Sequence, residues 1–135
     1  MMVILDTGPL VALLNQRGTH HQWAVEQGRS LKPPFFTCEA VVAEAHYLLS
    51  QFHMGMRSLN QLIASGKVDL SFPYAEHLEE VHHLMEVYGK VPMSFADACI
   101  VRLAELHRNS RVFTLDSDFK VYRKHRNKPL NLILP

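Results

Sequence analysis

Val3-Ile4-Leu5-Asp6-Thr7-Gly8-Pro9-Leu10 is the stretch from which the fold of this chain can be predicted. Residues 2–5 are uniformly apolar and include β-branched side chains, which is typical of a strand buried on both faces. Gly8 allows a tight bend, and Pro9 suits the first turn of a helix. Asp6 therefore follows a buried strand at its carboxyl end, where open α/β sheets bind ligands and substrates. The alternative is that Asp6 only caps the helix that follows.

Further along the chain, predicted strands alternate with predicted helices. Apolar runs bounded by turn residues predict strands at 35–37, 68–72, 111–115 and 130–134. Apolar residues at helical spacing predict helices at 9–14, 19–31, 38–52, 55–63, 75–88, 95–107 and 119–125. This alternation is typical of a three-layer α/β/α domain with a central, mostly parallel sheet. The length suits one domain, so residues 1–135 are expected to form a single domain of this kind.

The composition is that of an ordinary globular protein. The chain is 47% hydrophobic and 20% charged with a net charge of +1, so no charge excess points to a nucleic acid or a membrane surface. No apolar run reaches the ~20 residues that a membrane span requires, and the N-terminus lacks the early Lys or Arg of a signal peptide. Cys38 and Cys99 suit a reducing compartment, although their pairing stays open. We expect a cytoplasmic protein that does not contact membranes.

Two acidic residues share predicted helical rows with apolar residues. Glu44 lies three residues after Val41 and four before Leu48, at the edge of an apolar face, and Asp97 is surrounded along its row by apolar side chains. Each has an alternative explanation. Glu44 could be an interfacial acid paired with a Lys or Arg, and Asp97 could complete a capping box with Ser94.

The segment Thr114-Leu115-Asp116-Ser117-Asp118-Phe119 brings two more carboxylates to the end of a predicted strand. Asp116 follows its strand much as Asp6 does, whereas a turn cap explains Asp118 at least as well. Gathering several buried carboxylates raises their pKa values sharply unless a cation intervenes. Oxygen ligands of this kind suit a hard divalent ion such as Mg²⁺ or Mn²⁺.

In this order, the acidic segments resemble the successive motifs of the PIN-domain nucleases. That family includes the VapC-type toxins of bacterial and archaeal toxin–antitoxin pairs. The resemblance extends from Val3 to about Tyr122, with one departure at Gly8, where many relatives carry Ser or Asn. It is carried by Leu5-Asp6-Thr7, residues 37–44 ending in Val41-Val42-Ala43-Glu44, Ser94-Phe95-Ala96-Asp97-Ala98 and Thr114-Leu115-Asp116-Ser117-Asp118-Phe119.

The resemblance implies a PIN-like fold and a metal-dependent ribonuclease, a hydrolase that cuts RNA phosphodiester bonds with Mg²⁺ or Mn²⁺. The products would carry a 3′-hydroxyl and a 5′-phosphate. It assigns both catalysis and metal binding to Asp6, Glu44, Asp97 and Asp116, with Asp118 as an auxiliary ligand. It also implies an RNA substrate, and it makes a cognate antitoxin protein and a second copy of the chain candidate partners.

A basic segment surrounds the last acidic motif. Residues 108–128 contain seven Lys or Arg, and their only acids are Asp116 and Asp118. Cations beside a metal site suit a phosphodiester, because they hold the backbone while the metal acts on the scissile phosphate. The alternative is an ordinary solvated face. The residues predicted to bind RNA are Lys120, Arg123, Lys124 and Arg126.

Two other functions explain fewer of the acidic motifs. A non-catalytic PIN-fold module that binds RNA or protein would have no need to hold several like charges together. A phosphotransfer or phosphatase domain with Asp6 as nucleophile would need a second Asp two residues later, and that position is Gly8.

Overall fold

The apolar segment near the N-terminus forms the middle strand of a parallel sheet. In the computed structural model, which describes residues 1–135, β1 (Met2–Leu5) pairs with β2 (Phe35–Phe36) on one side and β4 (Ser110–Phe113) on the other. Two outer strands, β3 (Val68–Asp69) and β7 (Leu132–Ile133), give the order β3-β2-β1-β4-β7 with every pair parallel. The last three residues of β1 are buried, as a strand covered on both faces requires.

Six α-helices flank the sheet. The first four pack against one another, whereas α5 packs on α6 and α6 lies against β1 and β4. The predicted three-layer α/β/α architecture with a parallel sheet is therefore confirmed. No helix combines the length and the apolar character that crossing a bilayer demands. The helices are α1 (Thr7–Leu14), α2 (His21–Ser30), α3 (Glu39–Leu49), α4 (Gly55–Ala64), α5 (Leu78–Val87) and α6 (Phe95–Leu106).

The segment after β4 differs from its prediction. Instead of a helix at 119–125, it forms a 3-10 turn at Ser117–Lys120 and then a separate antiparallel hairpin of β5 (Arg123–Lys124) and β6 (Lys128–Pro129). A helix cannot continue here, because His125 and Arg126 have φ angles of 50° and 74°, in the left-handed region.

Several other predicted elements are shorter than expected, including the strands predicted at 68–72 and 130–134, which have two residues each. The helix predicted at 75–88 is divided into a 3-10 turn (Tyr74–Glu76) and α5, and His77 between them has a φ of −128°, outside the helical range. The helix predicted at 38–52 ends at Leu49. None of these changes moves an acidic residue of interest out of its element.

Large aromatic side chains anchor the segment after β4 to the core. Phe113, Phe119 and Tyr122 are fully buried, and the rings of Phe119 and Tyr122 meet edge to face with centroids 5.1 Å apart. Burial of this much apolar surface holds the intervening turn in place. The acidic residues of that turn are thus fixed relative to the sheet.

Candidate active site

Asp6 lies at the carboxyl end of β1 and is only 6% exposed. Its Oδ2 accepts a hydrogen bond of 2.7 Å from the hydroxyl of Thr114, the fully buried residue that follows β4. The Asp6 carboxylate makes no capping hydrogen bond to α1. Helix capping therefore does not account for an acid in this position.

The protonation of Asp6 reflects its surroundings. Burial raises the pKa of Asp6 to about 6, the hydrogen bond from Thr114 opposes that rise, and the carboxylates of Asp97 and Glu44 add to it. The negative charges of Asp97 and Glu44 therefore act on the Asp6 carboxylate, although more weakly than its burial does.

Asp97 lies in the first turn of α6 and has two structural partners. Its backbone N–H donates to Ser94 Oγ at 3.0 Å, and the Ser94 N–H donates back to Asp97 Oδ2 at 3.3 Å, which completes the predicted capping box. The same oxygen accepts a 2.9 Å hydrogen bond from the Tyr122 hydroxyl. Partial burial, with a smaller contribution from the Asp116 carboxylate, raises the pKa of Asp97 despite these donors. Capping is thus only part of what Asp97 does.

Glu44 lies on the solvent side of α3 and has no cationic partner. Partial burial and then the charge of Asp97 raise the pKa of Glu44. The only ion pair in the chain joins Arg102 and Glu105 at 3.3 Å, so the alternative of a Glu44 paired with Lys or Arg is wrong. The nearby Thr7 hydroxyl lowers the pKa of Glu44, yet Thr7 Oγ1 completes no hydrogen bond and is the one buried side-chain polar atom without a partner.

Asp116 caps the turn that follows β4. Its Oδ1 accepts a hydrogen bond of 2.9 Å from the Asp118 N–H, so the turn cap is Asp116 and not Asp118. The Asp116 N–H donates to the Thr114 hydroxyl at 3.0 Å. Thr114 therefore joins the ends of β1 and β4, because one hydroxyl donates to Asp6 and accepts from Asp116.

The charges of the acids affect one another's pKa values, and Asp97 takes part in these effects with each of the other three predicted catalytic acids, but the acids do not form a complete metal-binding site. As the side chains stand, no three His, Cys, Asp or Glu residues are arranged to hold a metal ion. The donors nonetheless fit a hard divalent cation, since they are carboxylate and hydroxyl oxygens. Internal hydrogen bonds occupy one oxygen each of Asp6, Asp97 and Asp116 and leave the other available. Glu44 is the exposed member of the group.

Three polar side chains of this group were not singled out from the sequence. Thr114 and Thr7 each stand directly at a strand end beside an acid, and that position was the available signal. No such signal marks Tyr122, because its hydrogen bond to Asp97 joins residues that are 25 positions apart.

Gly8, the departure from the family pattern, lies against Leu115. A Cβ atom at Gly8 would stand 3.1 Å from Leu115 Cβ and 3.2 Å from its Cδ1, closer than ordinary van der Waals contact. The first turn of α1 and the segment leading to Asp116 therefore approach each other closely because position 8 has no side chain.

The four cations predicted to bind RNA are placed differently from one another. Arg123 Nη1 donates to the carbonyl oxygens of Lys120, Val121 and Tyr122 at 2.7, 3.3 and 3.0 Å, so this guanidinium supports its own turn. Lys120 is exposed on the 3-10 turn, whereas Lys124 and Arg126 belong to the β5–β6 hairpin and its loop.

The comparisons with known proteins agree on the fold. The family model described as "PIN domain" matches residues 3–125. A search of curated proteins finds no match.

Three solved structures resemble this chain in fold. Mycobacterium tuberculosis VapC20, described as a sarcin-ricin loop cleaving toxin, is 21% identical with a TM-score of 0.80, over 94% of this chain and 99% of its own. VapBC2 from Rickettsia felis, bound to a promoter DNA fragment, is 18% identical with a TM-score of 0.66, over 100% and 99%. FitAcB from Neisseria gonorrhoeae is 21% identical with a TM-score of 0.59, over 86% and 88%.

Proposed function

The chain belongs to the PIN-domain family, and from that membership we propose that it is a Mg²⁺- or Mn²⁺-dependent endoribonuclease. Asp6, Glu44, Asp97 and Asp116 would form the catalytic acidic group, with Asp118 as an auxiliary ligand. The likeness to VapC20, a sarcin-ricin loop cleaving toxin, supports an RNA substrate.

One observation carries the proposal. Asp6, Glu44 and Asp97 each have a raised pKa, caused first by burial and then by the charge of neighbouring carboxylates, and none has a cation beside it. Such an arrangement lowers the stability of the metal-free protein. A bound divalent cation would remove both penalties, because it supplies the missing positive charge and replaces lost hydration.

In the proposed reaction, the metal ion and the side chains of the protein would have different roles. When bound, the ion would lower the pKa of the attacking water and offset the charge that develops on the phosphate. The free oxygens of Asp6, Asp97 and Asp116 would hold it, while Thr114 and Tyr122 fix the orientation of Asp6 and Asp97 through their hydroxyls. Glu44, the most exposed of the four, would orient the water and accept its proton.

Incubation of the purified protein with transfer and ribosomal RNA, in Mn²⁺ or in EDTA, tests this function. We expect defined cuts only with Mn²⁺, with 3′-hydroxyl and 5′-phosphate ends on sequencing. Asp116→Asn should slow cutting by roughly 100-fold or more, as expected when transition-state charge loses its stabilisation. Glu86→Gln, which removes an exposed acid of α5, is the matched control and should cut normally.

The same experiment separates the proposed function from its alternative. RNA that is bound and shifted in a gel but keeps intact ends with Mn²⁺ would indicate the non-catalytic RNA-binding module. Cutting that persists in EDTA would rule out the metal-dependent mechanism.

We extend the proposal to a cognate antitoxin as a protein partner, since VapBC2 and FitAcB share this fold. Five large apolar side chains stay exposed where α3 ends and α4 begins, and exposed apolar patches mark interaction surfaces. Met56→Asp, on α4, should abolish co-purification with the product of an adjacent gene and leave RNA cutting by the free protein intact. If an intact complex forms with this variant, the patch is not the docking surface. The patch consists of Tyr47 (77% exposed), Leu48, Phe52, Met54 and Met56.

A further inference from the structure

A polar cavity lies at the hairpin, away from the acidic group. It has a volume of about 350 Å³, and its four lining residues are Arg108, Lys124, His125 and Lys128. No acidic or apolar side chain contributes to it. Arg108 comes from the connection between α6 and β4, whereas the other three come from the β5–β6 hairpin, so two separate segments converge on one basic cavity.

The charges of this cavity are not balanced within the protein. Lys124 and Lys128 stand directly opposite each other in the antiparallel β5–β6 pair, and like charges in that position are destabilising. Neither lysine nor Arg108 forms an ion pair, since the only ion pair joins Arg102 and Glu105. An anion bound between the two strands would relieve this repulsion.

The hairpin is held in place by specific contacts. The His125 N–H donates to Glu105 Oε2 at 2.8 Å, and Arg123 Nη1 binds three carbonyl oxygens of the preceding turn. The Arg123 N–H donates to the Tyr88 hydroxyl at 2.9 Å. His125 and Arg126 have left-handed backbone conformations. Such strained conformations are kept where surrounding contacts fix them, and the hydrogen bonds of the hairpin do so here.

The hairpin follows α6 away from the acids. Tyr122, just before the hairpin, touches Asp97 in the first turn of α6, and His125 touches Glu105 in its last turn. Eight residues of helix separate these contacts, a distance of ~12 Å. A cavity of about 450 Å³ lies between α5, α6 and the hairpin, contains Arg126 and shares His125 with the basic cavity. The two cavities therefore adjoin at His125, and the larger one is also lined by the acids Glu80 and Glu105.

We propose that Arg108, Lys124, His125 and Lys128 bind a backbone phosphate of single-stranded RNA, several nucleotides from the bond that is cut. The inference rests on the proposed ribonuclease function and adds a substrate-positioning site to it. It also distinguishes two of the cations that the sequence predicts to bind RNA. Lys124 belongs to this phosphate site, whereas the guanidinium of Arg123 is engaged within its own turn.

The test is RNA binding under conditions that prevent cutting. A fluorescent single-stranded RNA of about 12 nucleotides is titrated with protein in EDTA at several salt concentrations between about 50 and 200 mM. Lys124→Gln/Lys128→Gln should weaken binding by roughly fivefold or more at low salt and flatten the slope of log K against log salt by about 0.7 for each phosphate that is no longer neutralised. Lys32→Gln/Lys67→Gln removes two exposed lysines of the opposite sheet edge and should leave both quantities unchanged.

The outcomes separate this inference from the proposed function. Unchanged RNA affinity and salt slope in Lys124→Gln/Lys128→Gln, with Mn²⁺-dependent cutting intact, would overturn the phosphate site alone. Absence of RNA binding by the unaltered protein in EDTA would overturn the phosphate site, whereas absence of cutting with Mn²⁺ would overturn the proposed function. Weakened binding of poly-glutamate without weakened RNA binding would assign the cavity to a protein carboxylate and overturn the proposal. A thermal melt in the same buffer checks that the variant is folded, and we expect its Tm to be equal or higher because the opposed charges are gone.

Discussion

Among individual side chains, Asp6 gives the sharpest prediction about pH. Its pKa rises from 3.8 to about 6 on folding, so the native state binds more protons than the unfolded state between those values. Metal-free stability should therefore fall as pH rises through this window, by about 3 kcal/mol in all. Asp6→Asn should remove most of that fall and abolish RNA cutting. Urea unfolding in EDTA from about pH 3.5 to 8 measures the first effect, and an RNA digest with Mn²⁺ measures the second.

The control for this prediction is Glu86→Gln, an exposed acid whose removal should leave the pH dependence as it was. If Asp6→Asn kept the full fall in stability, the burial of Asp6 would not be its cause. A fully active Asp6→Asn would remove Asp6 from the catalytic group.

Local sequence patterns are enough to single out the four candidate acids, but they do not indicate which residues form hydrogen bonds with them. Asp6 and Asp116 stand at the ends of apolar strands, and Glu44 and Asp97 share helical rows with apolar residues, which are local patterns. The hydrogen bond between Thr114 and Asp6 joins residues 108 positions apart. Such a contact depends on the pairing of β1 with β4, which no local pattern specifies.

Among the helices and strands, α6 gives a prediction about the stability that its N-cap contributes. Ser94→Ala removes the N-cap hydroxyl that accepts from the Asp97 N–H, and should cost about 1 kcal/mol in the free energy of unfolding. It should also slow RNA cutting, because Asp97 is then held by fewer of the hydrogen bonds that orient it. His20→Ala is a matched control, since His20 caps α2 without a side-chain hydrogen bond. Equal destabilisation of the two variants, measured by urea unfolding, would contradict the role of the capping box.

The close approach of α1 to the Asp116 segment leads to a second prediction about an element. Gly8→Ser should destabilise the protein by roughly 1–2 kcal/mol, because the new side chain overpacks against Leu115. Leu115→Ala in the same chain should recover part of that stability, although Leu115→Ala alone is destabilising. A double-mutant cycle measures the coupling. Additive effects would show that the two positions do not compete for space.

The secondary structure was predictable where apolar periodicity was strong and failed where the backbone is unusual. β1 and α6 match their predicted ranges closely because burial on regular faces specifies them. The helix predicted at 119–125 covers part of the 3-10 turn and β5, where no turn glycine indicates a hairpin. His125 and Arg126 take the left-handed conformation instead, and sequence patterns rarely assign that conformation to such residues.

For the protein taken together, metal binding and stability should be linked. A cation that binds only the folded acidic group stabilises it by about 2.7 kcal/mol at a concentration about one hundred times its Kd. The Tm of metal-free protein should thus rise by several degrees in millimolar Mn²⁺, and much less in Asp6→Asn. Differential scanning calorimetry measures both shifts. A Tm that does not move in unaltered, metal-free protein would count against a metal site in this fold.

The position of the basic hairpin at the far end of α6 sets a minimum length for an efficient substrate. Eight residues of α6 separate Asp97 from Glu105, which contacts the hairpin, and at ~1.5 Å per residue this is ~12 Å. A stacked strand advances ~3.4 Å per nucleotide, so about four nucleotides would reach from the scissile bond to Lys124 and Lys128. Oligonucleotides shorter than this on the hairpin side would contact the acids alone. Their cutting should be slow and indifferent to the two lysines, whereas longer RNAs should gain speed with each added nucleotide until the hairpin is reached and none thereafter.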